Sequence, residues 1–251
     1  MLLSAVFFDV DGTIAETEEL HRMSFNESFK EFNLNWFWDK PIYKRLINIG
    51  GGKERIEHYI RRAWPEMLEY KNLNKYINSI HKVKSEIYED YINESKVEFR
   101  PGVFRLMEEL KKKNVKIGLV SSSSENNVKS LIFKGLKIKP KNYFDIIAHG
   151  DCTLNKKPSP EIYEWTLEKL KLPAQSCVAI EDSPRGLASA VGANIKVIVT
   201  PSYLTVDEKF ESAHLVVSSL GEIDKPIKKI SGSIKLKKIV DFNLLKEIIS
   251  L

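Results

Sequence analysis

The sequence predicts an α/β protein: a Rossmann-like parallel sheet core interrupted after its first strand by an inserted all-helical domain. Three observations carry this. Short continuous apolar runs recur along the second half of the chain, as expected of strands covered on both faces. Helical patterns alternate with these runs, the order that builds a parallel sheet with helices on both sides. The first run, "SAVFF" at residues 4–8, is cut off from the rest by roughly eighty residues that show helical spacing and no strand.

In chain order, "SAVFF" is the first strand and ends at Asp9. The helical block follows, with "EELHRMSFNESFKEFNL", "KERIEHYIRRAW" and "LNKYINSIHKVKSEIYEDYINES" carrying apolar residues at helical intervals. Pro101-Gly102 opens a helix that closes in a lysine cluster at Asn114, and "VKIGLV" is the second buried strand. "FDIIAHG", "CVAIED" and "IKVIVT" are three more, with helices at "SPEIYEWTLEKLKL" and "SPRGLASAVGA" between them. "AHLVVSS" is expected to add an edge strand. The tail from about Lys225, basic and then amphipathic, is expected to pack peripherally. The division that results is a core of residues 1–15 and 97–251 and a helical domain of residues 16–96.

The bulk properties exclude several classes. The chain has 251 residues, 43% hydrophobic and 29% charged, as in a soluble globular protein. No apolar run approaches the ~20 residues that span a bilayer, and "MLLSAVFFDV" lacks the basic start of a signal peptide. Cys152 and Cys177 show no metal-ligand spacing, which suits a reducing, cytoplasmic setting. The net charge of +5 comes without an Arg/Lys stripe interleaved with aromatics, so neither nucleic acid nor membrane is an expected partner. The mild positive bias would help attract a small phosphorylated anion, and the chain is expected to be a monomer or weak dimer.

In open parallel sheets ligands bind beyond the carboxyl ends of the strands. The residues at those ends are Asp9 and Asp11, Ser121, and Glu181-Asp182, with Lys157 in the loop before a helix. Two carboxylates ~4 Å apart repel by roughly 4 kcal/mol at an effective dielectric near 20. Such a cluster of oxygen ligands calls for a hard cation such as Mg²⁺, which commonly bridges carboxylates to a phosphate. Ser121, the backbone N–H of Ser122 and Lys157 would hold the phosphoryl oxygens.

"DVDGT" after an apolar strand, a Ser after the second, a Lys before Pro and "EDS" after a later strand resemble the four motifs of the haloacid dehalogenase (HAD) superfamily. The helical insert resembles the C1-type cap of its phosphatase and β-phosphoglucomutase branch. "TEELHRMSFNESF", "WFWD", "GGKERIEHYI", "KKPSPEIY" and "AIEDSPRGLASAVGAN" are similar to the CbbY group, whose characterised members dephosphorylate xylulose 1,5-bisphosphate. The resemblance implies a Mg²⁺-dependent sugar-phosphate phosphatase. Asp9 would be the nucleophile that forms an aspartyl-phosphate, and Asp11 the general acid and base. The acid role requires a pKa raised above the ordinary ~3.9. Asp182 would be the principal Mg²⁺ ligand, with the Asp9 carboxylate, the Asp11 backbone carbonyl and Glu181 alongside.

On the cap, His21 aligns with a histidine that faces the general acid in β-phosphoglucomutase-like relatives. Lys53 and Arg55 after the Gly51-Gly52 turn would grip a distal phosphate, and Glu18 and Tyr43 would contact the sugar. Trp36 and Trp38 are expected in the cap core. Arg100 and Arg185 are read equally as substrate cations or helix-end packing. Three alternatives stay open: a β-phosphoglucomutase-like phosphosugar mutase, a phosphoglycolate phosphatase, and a receiver-like domain phosphorylated on Asp. The receiver is disfavoured by chain length, by the helical insert and by the "DVDGT" motif.

Overall fold

The computed structural model describes residues 2–95, 97–235 and 238–251. The expected cap–core boundary at residue 96 and two positions of the basic tail lie outside the described residues. Among the described residues the sheet has seven strands in the order β3-β2-β1-β4-β5-β6-β7. These are β1 (Ala5–Phe8), β2 (Lys116–Val120), β3 (Ile146–Ala148), β4 (Cys177–Glu181), β5 (Lys196–Val199), β6 (Leu215–Val217) and β7 (Lys229–Gly232). The first six run parallel, and β7 joins β6 antiparallel. Growth of the sheet reverses beside β1: β2 and β3 extend it one way, β4 to β6 the other. That switch opens a crevice beyond the carboxyl ends of β1 and β4, the place where ligands bind in sheets of this kind.

Alternation along β1 divides its side chains between two layers. Ala5 and Phe7 face α7 (Glu161–Leu170) and α8 (Pro184–Gly192) in one cluster. Val6 and Phe8 join the other, with Leu106, Met107 and Leu110 of α5 (Val103–Lys112) and Val128 of α6 (Glu125–Ser130). Leu244, Leu245 and Ile248 of α9 (Phe242–Ile249) belong there too and are fully buried. The tail is therefore not peripheral: its last helix fills the centre of one face. "AHLVVSS" forms β6, but it is not an edge, because β7 lies outside it. The "KISG" of β7 is exposed at all four positions and carries no apolar alternation, so sequence pattern gives it no signal.

The insert comprises α1 (Glu18–Glu31), α2 (Lys40–Leu46), α3 (Gly52–Ala63) and α4 (Leu73–Glu94). Phe25, Phe29, Trp36, Trp38, Tyr43, Ile56, Ile60, Ile77 and Ile80 form its own cluster, so both tryptophans are core as expected. Helix α4 spans the two halves: Ile77 and Ile80 belong to the cap cluster, Tyr88 and Ile92 to the sheet cluster.

Candidate active site

Asp9 directly follows β1, and its N–H donates to the Ile180 carbonyl of β4 at 2.9 Å, which fixes it at the crevice. Gly12 then turns with φ 80°, and a Cβ there would lie 2.2 Å from Asp182 Oδ2. Glycine is what lets the "DVDGT" loop close on that carboxylate. Asp182 follows β4, and Ser183 caps α8 by accepting from the Gly186 N–H. Oxygens of Asp9, Glu181 and Asp182, all buried, lie within 4.8 Å of one another.

Lys157 is the counter-charge for two of them. Its Nζ donates to Asp9 Oδ1 at 2.8 Å, to Glu181 Oε1 at 2.6 Å and to the Val120 carbonyl at 2.7 Å. Burial works against this ammonium, but the two carboxylates outweigh it and hold the pKa above the ordinary lysine value. Burial raises Asp9 against the pull of Lys157. Burial pushes Glu181 up to about 7, with Lys157 opposing. Asp182 is raised well above the ordinary carboxylate range, first by burial and then by the charge of Asp9. No cation bonds it among the described residues. Three clustered carboxylates against one ammonium, all with oxygen donors, fit a hard divalent cation. Glu181 sits deepest. Its Oε1 also accepts from Tyr163, while Oε2 has no partner and faces Gly186, where a Cβ would come within 1.8 Å.

Asp11 is organised differently. Thr17 Oγ1 donates to its Oδ1 at 2.5 Å, Ser123 Oγ to its Oδ2 at 2.6 Å, and His21 Nε2 lies 2.9 Å from Oδ1. Burial alone would raise its pKa; His21 and the two hydroxyls outweigh burial and hold it below the ordinary carboxylate value. The expectation of a raised Asp11 is thus not met in this arrangement, because three donors converge on it. His21 is itself lowered by burial and by the Lys84 ammonium. At neutral pH the contact is therefore a neutral imidazole donating to a carboxylate rather than a full ion pair. Its Nδ1 faces Lys84 Nζ at 2.5 Å, and its ring stacks on Tyr88 at 4.0 Å.

One cavity collects most of the expected residues. Asp9, Asp11, Asp182, Ser121, Ser122 and Lys157 line it from the core, and Glu18, His21, Gly52 and Arg55 from the cap. Gly52 backs onto His81. Three expected residues fall outside the lining: Lys53, Tyr43 and Glu181, the last lying behind Lys157. Lys53 is exposed, because residues two apart on a helix point to nearly opposite sides and Arg55 takes the inner face of α3. Tyr43 is buried behind the lining, where its hydroxyl donates to Glu18 Oε2 at 2.7 Å and accepts from Arg55 at 2.8 Å. Arg185 lines the cavity with an unpartnered Nη1, whereas Arg100 is a structural clamp on the carbonyls of Thr200 and Pro201.

Sequence reasoning missed His81, Lys84 and Asn127 in the lining, and Thr17 on Asp11. A signal existed for two of them. The inner face of α4 reads Ile77, Ile80, His81, Lys84, Tyr88, Ile92, and a lysine at a core position of an apolar stripe is rare without a partner. Burial lowers Lys84 to about 7, and burial with the charges of Lys84 and Lys53 lowers His81 to about 3.

Residues 6–200 match the family model of haloacid dehalogenase-like hydrolases. The chain belongs to this family. Protein CbbY of Cereibacter sphaeroides is 38% identical to it over 224 residues, 88% of this chain and 94% of the relative. A variant of CbbY from Rhodobacter sphaeroides, solved in complex with xylulose-(1,5)bisphosphate, superposes with a TM-score of 0.80 at 36% identity, covering 89% of this chain and 98% of that one. A β-phosphoglucomutase from Clostridium difficile, at 24% identity and a TM-score of 0.75 over 100% of this chain and 98% of that one, shares the fold. The chain is an enzyme, a phosphoric monoester hydrolase of the CbbY type. No helix among the described residues is long and apolar enough to cross a membrane.

Proposed function

We propose that the enzyme is a Mg²⁺-dependent sugar-phosphate phosphatase that works through an aspartyl-phosphate on Asp9, with xylulose 1,5-bisphosphate as its substrate. One observation carries this reading: a single cavity has a carboxylate cluster on its core side and Arg55, Lys84 and Arg185 around the remainder. That division suits a ligand with one phosphate at the reacting carboxylate and a second anionic group some distance away. The complex of the Rhodobacter relative with the same bisphosphate supports it.

In this mechanism Asp9 attacks phosphorus in line, and the bond from phosphorus to the sugar oxygen breaks. In its protonated form Asp11 gives its proton to the leaving oxygen, and the carboxylate so formed takes one from the water that hydrolyses the aspartyl-phosphate. The ionised Asp11 held by Thr17, His21 and Ser123 is the form needed for the second half. Ser121, the Ser122 N–H and Lys157 hold phosphoryl oxygens, and His21, Glu18 and the Gly52 turn face the sugar. Asp9, Asp182 and the Asp11 carbonyl would hold Mg²⁺, with Glu181 behind them. When bound, the ion would supply the positive charge that lets a carboxylate meet an anionic phosphoryl group. Phosphate release from xylulose 1,5-bisphosphate in Mg²⁺, with no isomerised phosphosugar, is the expected result. An isomerised product without phosphate release would turn the assignment to a mutase.

A further inference from the structure

Segment 200–207, which follows β5, touches both halves of the molecule. The Thr200 N–H donates to the Glu181 carbonyl at 2.8 Å, so the segment starts bound to the end of β4. Thr205 Oγ1 donates to the Asp182 carbonyl at 2.6 Å and accepts from the Ser202 N–H at 2.9 Å. Ser202 lies beside the Asp182 carboxylate itself: a Cβ on Gly12 would come within 2.2 Å of Asp182 Oδ2 and 3.1 Å of the Ser202 Cβ. Leu204 goes the other way. It is buried in the cluster of the cap's Phe25, Trp38 and Tyr43 and belongs to neither sheet cluster. Asp207 accepts from Lys44 of α2 at 3.0 Å, an exposed pair that contributes little. At the near end, Arg100 holds the Thr200 and Pro201 carbonyls and pairs with Glu16 at 3.1 Å. Glu16 and Arg100 lie on the outgoing and returning connections of the cap.

We propose that Leu204 is a positioning residue that couples seating of the cap on the core to the setting of Asp182, with Thr205 as the link. The inference rests on reading Asp182 as a site carboxylate. Leu204 and Thr205 are adjacent, and one is packed in the cap while the other is bonded to the Asp182 backbone. When the cap lifts, Leu204 must leave its apolar cluster or draw the segment with it. In either case the short turn from Ser202 to Thr205 loses its support. The carboxylate is therefore best placed when the cap is seated, and the site is completed by closure.

Hydrogen exchange on the full chain without substrate tests this, because it does not depend on turnover. In Leu204→Ala, amides of residues 183 and 185–187 are expected to exchange about tenfold faster, together with cap amides around residues 38–46. Leu204→Met, which keeps an apolar anchor, should stay near the wild type. Thr205→Val should speed residues 183 and 185–187 and leave the cap unchanged. With the bisphosphate, Leu204→Ala should raise KM about five- to tenfold with a smaller change in kcat, as expected when the binding-competent closed fraction falls. The coupling is refuted if Leu204→Ala disturbs cap amides alone, or if Thr205→Val leaves residues 183 and 185–187 unchanged. If Leu204→Ala does not fold, Leu204→Val supplies the same comparison, and the same pattern sinks or sustains the idea. Absence of phosphatase activity in a wild-type chain with the expected exchange pattern would overturn the substrate assignment and leave the coupling standing.

Discussion

Replacing Asp182 by Asn should stabilise the metal-free protein while abolishing its response to Mg²⁺. Oxygens of Asp9, Glu181 and Asp182 lie within 4.8 Å of one another. At that separation two unit charges repel by roughly 3 kcal/mol at an effective dielectric near 20. Lys157 offsets the charges of Asp9 and Glu181, at 2.8 and 2.6 Å, but does not bond Asp182. Removing the Asp182 charge is therefore expected to gain about 1–3 kcal/mol, or about 3–10 °C in Tm for a chain of this size. The sign follows from the folded-state pKa, which lies well above the ordinary 3.8. Ionisation of a buried acid of this kind costs nothing below the unfolded value. The cost grows as pH rises above it and is complete once the folded pKa is passed. The advantage of Asp182→Asn should thus be large at pH 8 and smaller at pH 5.5. Thermal melts in EDTA and in Mg²⁺ at both pH values make the assay. A ligand at a hundred times its Kd stabilises by about 2.7 kcal/mol, and the wild type should show such a shift while the variant does not. A variant no more stable than the wild type in EDTA at pH 8, or one with an undiminished Mg²⁺ shift, would refute the reasoning.

Three further outcomes are expected. Asp9→Asn should lower kcat by at least about 10³-fold, because it removes the proposed nucleophile and one charge of the proposed metal site, and should leave the fold intact by circular dichroism, because the Asn oxygen can still accept from Lys157. The KM of the wild type for the bisphosphate should rise as pH increases through about 7, where Lys84 loses its charge, and Lys84→Met should raise KM about tenfold and flatten that dependence. Arg185→Ala should cut kcat/KM for the bisphosphate by about 10–100-fold, whereas Lys53→Ala, exposed and off the lining, should stay within about threefold.

What the sequence disclosed and what it hid follow from physical rules. Strands β1, β2, β4 and β5 are buried on both faces, so continuous apolar runs reveal them, and the site residues at their ends come with them. Strand β7 was hidden because an exposed outer strand needs no apolar pattern; backbone pairing to β6 alone defines it. The core motifs were legible because each is short and local. The cap half of the cavity was not, because it depends on which side of a helix faces inward. Lys53 and Arg55 look equivalent in the sequence, yet helical rotation places one in solvent and the other against Tyr43. Lys84 could have been found by treating a cation within an apolar stripe as an anomaly that needs an explanation.

The polar chemistry of the cavity is costly to the free protein. Lys84 is buried at 2% exposure with a lowered pKa, Asp182 is buried with a raised one, and Ser122, Ser124, Arg185 and Glu181 each leave a buried polar atom without a partner. Each departure costs stability in the free protein. Of the ten residues with such an unpartnered atom among those described, Arg55, Ser122, Ser124, Asn127 and Arg185 line the cavity and Glu181 sits behind Lys157, while Thr13, Trp38, Tyr88 and His149 lie elsewhere. An anionic substrate and a divalent cation would reverse the penalties at the cavity, pairing the lysine and arginine with phosphate and the carboxylates with metal. A buried lysine of lowered pKa and a buried carboxylate of raised pKa lining one space are what a site built for a metal and a phosphorylated ligand requires.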